Sequence, residues 1–217
     1  MQAQPREGTL ASMKAQERTS TWMAGAFCAS LGLALASVAV SRHRDFTIAL
    51  AMSARVAFLF FWPAYVGGAL TSLFGDVFLP VKRRGRELGL AFAAAILVHL
   101  GFVVRLCVVG PEPATQTFVI FGVAAAFALL LAVLSIGSVR RLLPSRVWPP
   151  LRAAAMNYIA FAFILDFVRF PAPDIRSAVL YLPFAALAIL GPALKFAASA
   201  QSYAKRAPTS LGRASSP

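Results

Sequence analysis

Long apolar stretches separated by short polar connections dominate the pattern of this sequence. Six of these stretches have about the 20 residues that an α-helix needs to cross the hydrocarbon core of a bilayer. Each is continuous rather than alternating with a period of two, which argues against a transmembrane β-barrel. The pattern predicts an all-α integral membrane bundle of six transmembrane helices, at about residues 21–40, 46–73, 87–109, 115–138, 151–170 and 177–197.

Polar segments lie at both ends of the predicted transmembrane domain of residues 21–197. Residues 1–20 and 198–217 mix charged and small polar side chains, and we expect both to be disordered tails. The first apolar run contains Ala34-Leu35-Ala36, which resembles the cleavage site of a signal peptide. The run continues to Val40, which favours a retained helix over cleavage.

Composition agrees with a membrane protein. Of the 217 residues, 59% are hydrophobic and 13% are charged, whereas soluble domains carry about 25% charged residues. The formal net charge is +13, but the basic residues lie mostly between the apolar runs and form no patch interleaved with aromatic residues. We therefore exclude nucleic acid as a partner and expect the lipid bilayer instead.

The distribution of lysine and arginine predicts the orientation. Basic residues accumulate on the cytoplasmic side of membrane proteins. The cluster Lys82 to Arg86, the pair Arg140 and Arg141, and both tails fall on one side, and far fewer basic residues fall on the other. Both termini are therefore predicted to be cytoplasmic. The alanine- and arginine-rich composition indicates a bacterial protein, which makes the inner (plasma) membrane the predicted location.

Ionisable residues inside the apolar runs are candidates for function, because they are expensive to bury in lipid. His99 lies near the centre of the third run, and it is predicted either to hydrogen-bond a neighbouring helix or to be an axial haem ligand. Asp166 is predicted to pair with Arg169 or to meet His99, and it forms a candidate polar cluster with Asn157. Arg55 is predicted to be interfacial or to reach inward.

Two segments resemble ferric-reductase-like transmembrane domains. RRGRELGLAFAAAILVHL (residues 83–100) is similar to the family's third helix, where an arginine-rich end leads to an axial histidine. LSIGSVRRLLPSRVWPPLRAAAMNYIAFAFILDF (residues 134–167) is similar to the portion that follows, and the resemblance spans about residues 46–170. The chain departs from the family where the latter has histidines on its fifth helix. Arg152 occupies one such position, and Leu165 or Asp166 occupies the other.

The resemblance implies a haem-b electron-transfer subunit that uses His99 as its metal ligand, with Arg55 and Arg105 pairing with haem propionates. Because the chain has no FAD or NAD site, electrons would come from a separate donor protein or from quinone. As an enzyme it would be an oxidoreductase-type membrane subunit, and a homodimer would supply a second histidine. No catalytic residue is assigned. The alternatives are a haem-less binding, regulatory or assembly component of the membrane, and a small transporter.

Overall fold

A computed structural model describes residues 7–40, 46–109, 115–135, 139, 144–169 and 175–206. These residues are almost entirely helical. The helices are α1 (Glu7–Val40), α2 (Phe46–Phe74), α3 (Leu79–Arg83), α4 (Gly85–Val109), α5 (Thr115–Leu134), α6 (Trp148–Arg169) and α7 (Ile175–Arg206), with a short 3-10 helix at Gly75–Phe78 between α2 and α3.

The prediction of an all-α, multi-pass membrane protein is confirmed. Among the described residues, six helical spans are long and apolar enough to cross a membrane, and the second of them, Ile48–Arg83, includes α3. The ends differ from the predicted ones. Helix α1 begins at Glu7, within the segment expected to be a disordered tail, and α7 continues to Arg206, beyond the predicted end at 197. Helix α5 ends at Leu134, and the last predicted residues of that run, 136–138, lie outside the described residues.

Helix α2 is the centre of the bundle. It packs against α1, α4 and α7, while α5 and α7 each pack against α6. A cluster of aromatic side chains forms its core, and Phe58 is 1% exposed at the centre of that cluster. The Phe58 ring lies 5.0 Å from the ring of Phe163 and 5.0 Å from that of Phe167. Aromatic pairs at such distances attract each other beyond their burial of apolar area.

Two close contacts join α2 to α7. The indole nitrogen of Trp62 donates a hydrogen bond to the carbonyl of Leu187 at 2.7 Å. A β-carbon at Gly191 would lie 3.1 Å from the Tyr65 ring, so the absence of a side chain there allows the two helices to approach. Helix α7 also contains Pro183 and Pro192 and α2 contains Pro63, and in membrane helices neighbouring groups can satisfy the carbonyls that proline leaves unbonded.

A turn after α2 brings basic residues to one end of the bundle. Gly75 has φ +79, a left-handed conformation that glycine adopts at no steric cost. The short helix α3 then carries Lys82 and Arg83, and α4 begins at Gly85. The end of α5 lies here as well, because the Arg86 guanidinium donates to the carbonyl of Ser135 at 3.1 and 3.3 Å. We call this the basic end of the bundle.

Candidate functional site

His99 is fixed to one face of α2. Its Nδ1 lies 3.2 Å from the carbonyl oxygen of Leu50 and 3.1 Å from the hydroxyl of Ser53, which in turn donates to the same carbonyl at 2.9 Å. A carbonyl only accepts hydrogen bonds, so this pattern assigns the ring proton to Nδ1. Nε2 makes no hydrogen bond to any residue that the structure describes. The prediction that His99 hydrogen-bonds a neighbouring helix is confirmed.

Arg55 lies on the opposite face of α2. It follows Ser53 by two positions, which is about 200° around a helix of 3.6 residues per turn. Its guanidinium lies 4.4 Å from the ring centre of Tyr181, and Nη1 donates to the sulfur of Met52 at 3.5 Å. The Asp166 carboxylate interacts electrostatically with Arg55. Asp166 therefore belongs with Arg55, and the described contacts do not bring it to His99.

Asn157 belongs to a third group of polar residues. Its side-chain oxygen accepts a hydrogen bond from the Tyr65 hydroxyl at 3.0 Å and another from Lys195 Nζ at 2.9 Å. The same ammonium lies 4.3 Å from the centre of the Tyr65 ring, where a cation–π interaction adds to the attraction. Asn157 and Asp166 are nine positions apart on α6, or about 13 Å along its axis, so the candidate polar cluster is divided between two places.

The residues that the resemblance assigns to a haem are not assembled around one space. His99 and Arg55 occupy opposite faces of α2, and Arg105 is an exposed side chain six positions beyond His99 on α4. His99 lines neither of the two clefts described below. The described contacts do not bring His99 and Arg55 together, and haem binding by these residues stays a prediction.

The first basic cleft opens at the basic end of the bundle and has a volume of about 330 Å³. Its lining includes four cationic side chains, and none of its described lining residues is acidic. The four cationic residues come from α3, α4 and α6, and they are Lys82, Arg83, Arg86 and Arg152. The Arg86 guanidinium donates to the carbonyl of Ser135. The other three form no ion pair with a described residue.

The second basic cleft, of about 630 Å³, adjoins the first between α2, α6 and α7. The two share Lys82 and Arg152 in their walls, together with Trp148 and Met156. Lys195 is the additional cation of the second cleft, and again no described lining residue is acidic. Cations gathered without carboxylates repel each other at close range, so this region is complementary to an anionic ligand.

Sequence reasoning missed these clefts. It interpreted the cluster from Lys82 to Arg86 as an orientation signal only, and it singled out neither Trp148 nor Lys195. The available signal was Lys195 itself, a lysine inside the sixth apolar run, where an ionisable residue is a candidate for function.

Comparison with models of known protein families, with curated proteins and with solved structures finds no match. The resemblance to ferric-reductase-like domains therefore stays a prediction from the sequence.

Proposed function

We propose that this protein is a multi-pass membrane component that binds an anionic ligand in its two basic clefts, and that it acts by binding rather than by electron transfer. The observation that carries the proposal is the set of cations Lys82, Arg83, Arg152 and Lys195, which lines the two adjoining clefts without an acidic partner among the described residues. Basic clefts between transmembrane helices are a known way to bind anionic head groups.

Membrane orientation fits this function. The positive-inside bias predicts that the basic end, with both termini, faces the cytoplasm of a bacterial inner membrane. The cytoplasmic leaflet is the one whose surface is negatively charged, and it attracts lysine and arginine close to the membrane. An anionic ligand thus meets the clefts from the side on which such ligands are concentrated.

The proposal is tested by measuring lipid binding to the purified full chain. Native mass spectrometry in mild detergent should detect retained phosphatidylglycerol, which carries one negative charge, in preference to phosphatidylcholine with the same acyl chains. The expected preference is about tenfold, or about 1.4 kcal/mol, because phosphatidylcholine has the same phosphate but also a choline cation, which the cationic side chains of the clefts repel. Equal retention of the two lipids would contradict the proposal.

A second candidate, a haem-dependent electron-transfer subunit, rests on His99. Histidines that ligate metals usually donate their other ring N–H to a carbonyl or carboxylate, as His99 Nδ1 does to Leu50. Nε2 is then the ring nitrogen with a lone pair for a ligand bond. We do not prefer this candidate because His99 lines neither cleft and Arg55 faces away from it.

An optical spectrum of the His99→Ala variant distinguishes the two candidates. If the protein functions without haem, both wild type and variant are colourless when purified from cells supplied with haem. The variant then loses about 0.5–1.5 kcal/mol of stability, the net contribution of one hydrogen bond, because the Leu50 carbonyl keeps the bond from Ser53. A Soret band in the wild type, shifted by dithionite and absent from the variant, would instead establish the haem candidate.

A further inference from the structure

The two clefts, considered together, specify the ligand more closely, and this inference rests on the proposed function. Each cleft has cations of its own on either side of a shared pair. Arg83 and Arg86 line only the first cleft, and Lys195 lines only the second. Lys82 and Arg152 line both, so they stand where the two clefts adjoin. We infer that the ligand is a membrane lipid with two phosphate groups joined by a short linker, one phosphate in each cleft.

The distribution of the cations over two clefts supports a ligand with two anionic groups rather than one. A single phosphate in the first cleft is within reach of Arg83 but leaves Lys195, the cation of the second cleft, without an anion. Lys195 Nζ is already oriented by its hydrogen bond to Asn157 and by the Tyr65 ring, so it is held in place before a ligand binds. A second phosphate that is linked to the first pairs with Lys195 in the second cleft. Because of the linkage, its binding is intramolecular.

The walls of the second cleft support a lipid rather than a soluble diphosphate. Its polar side chains include Arg152, Lys195, Ser199 and Ser202, whereas Pro63, Ala64, Gly67, Gly68, Ala69 and Met156 provide an apolar surface. Pro63 precedes the end of α2 at Phe74 by eleven positions, or about 16 Å along the helix axis, so the cleft extends into the membrane-spanning part of the bundle. A ligand with both an anionic head and acyl chains matches the two surfaces.

The first step of the test compares two lipids with the same phosphodiester chemistry. Tetraoleoyl cardiolipin carries two phosphates on a glycerol linker, and dioleoyl phosphatidylglycerol carries one. Native mass spectrometry of the full chain in mild detergent should show cardiolipin binding about tenfold tighter or more, since linked groups bind with an avidity above that of either alone. Equal affinities would overturn the inference while leaving the proposed function intact. Failure of both lipids to bind would overturn the two together.

Variants of single cations form the second step. Lys195→Gln should reduce the affinity for cardiolipin to about that of wild type for phosphatidylglycerol. It should reduce the affinity for phosphatidylglycerol by a smaller factor, because a single phosphate can still bind in the first cleft, which Lys195 does not line. Lys205→Gln is the matched control, because it makes the same change on the same helix at an exposed position outside both clefts. Equal losses for Lys195→Gln and Lys205→Gln would overturn the inference, and so would equal losses for the two lipids.

A soluble competitor tests whether the ligand is a membrane lipid or a soluble diphosphate. Inorganic pyrophosphate is added to the complex with cardiolipin, at constant ionic strength so that general screening does not change. The lipid should remain bound, because the competitor makes no contact with the apolar wall of the second cleft. Complete displacement of cardiolipin by pyrophosphate at comparable concentration would overturn the lipid assignment.

Discussion

Replacement of Phe58 by alanine is expected to lower the free energy of unfolding by about 3–5 kcal/mol, the range found for large aromatic residues in closely packed cores. Phe58 is 1% exposed and contacts rings on two other helices. Its ring centre lies 5.0 Å from Phe163 and 5.0 Å from Phe167, both on α6, and 6.0 Å from Phe184 on α7. The substitution therefore leaves a cavity where three helices meet.

Lipid is not expected to compensate for this cavity. Helices in a bilayer gain little from leaving lipid, whose chains are as apolar as their own side chains, so van der Waals packing supplies much of their association. The atoms around Phe58 lose those contacts outright if nothing fills the space. An acyl chain from the bilayer would have to pass the surrounding rings to reach it.

Leu59→Ala is the matched control for this prediction. Leu59 is the next residue on α2 and is 54% exposed, so its side chain faces outward from the described core. Its truncation should change the free energy of unfolding by about 0.5 kcal/mol or less. Both variants are unfolded by titrating SDS into the protein in mild detergent, followed by circular dichroism. Similar losses for Phe58→Ala and Leu59→Ala would show that the aromatic cluster is not the core of the bundle.

The six spanning helices could be predicted because each is encoded by a continuous apolar run, a signal that depends only on local composition. Helix ends were less predictable. The segment from Glu7 to Ser20 is polar, yet it continues α1, and there Arg18 Nε lies 2.8 Å from the carboxylate of Glu87 on α4. That ion pair joins residues far apart in the sequence, so no local pattern indicates it.

The arrangement of the polar residues could not be predicted, because it depends on which faces of the helices meet. The sequence left open whether Asp166 meets Arg169 or His99 and whether Arg55 reaches inward, because a sequence indicates little more than the depth of each residue in the membrane. Depth fixes a position along a helix but not the direction of the side chain. Ser53 and Arg55 are two positions apart and nevertheless face opposite sides of α2, where one contacts His99 and the other Tyr181.

The basic clefts illustrate a different difficulty, in which one set of residues has two physical roles. Lysines and arginines beside an apolar run orient the helix, and that explanation was sufficient for the cluster from Lys82 to Arg86. Only the structure brings Arg152 from α6 and Lys195 from α7 next to it. The convergence of five cations from four helices on two adjoining clefts is a tertiary property.

The double substitution Lys82→Gln/Arg152→Gln is expected to weaken the binding of phosphatidylglycerol by about 100-fold. These two side chains line both clefts, so a phosphate in either one loses both of them. Each hydrogen bond to a charged group contributes about 1.5–3 kcal/mol, and the loss of two at the lower value, about 3 kcal/mol, gives a factor of about 100. Glutamine retains polar groups and much of the length of the side chain, so the bundle should keep its fold.

A control with the same change of charge separates the clefts from the general attraction of a basic surface. Arg84 and Arg146 are exposed. They are close in the sequence to residues that line the basic clefts, but they line neither cleft themselves. In Arg84→Gln/Arg146→Gln, the binding of phosphatidylglycerol should fall by about threefold or less, because neither side chain lines a cleft and salt screens their attraction for a lipid at a distance. Both double variants are measured by native mass spectrometry after circular dichroism has shown that each keeps its helical content.

The comparison of the two double variants distinguishes a specific site from a nonspecific one. A loss of phosphatidylglycerol affinity that is confined to Lys82→Gln/Arg152→Gln indicates that the lipid phosphate contacts these two side chains directly. Such contact is expected because both side chains line both clefts. Equal losses in the two variants would mean that net charge alone attracts the lipid, and the clefts would not be its binding site. Repeating the titration at higher ionic strength adds an independent criterion, since salt largely screens the attraction between exposed charges that are more than a Debye length apart, and a direct contact is shorter than that.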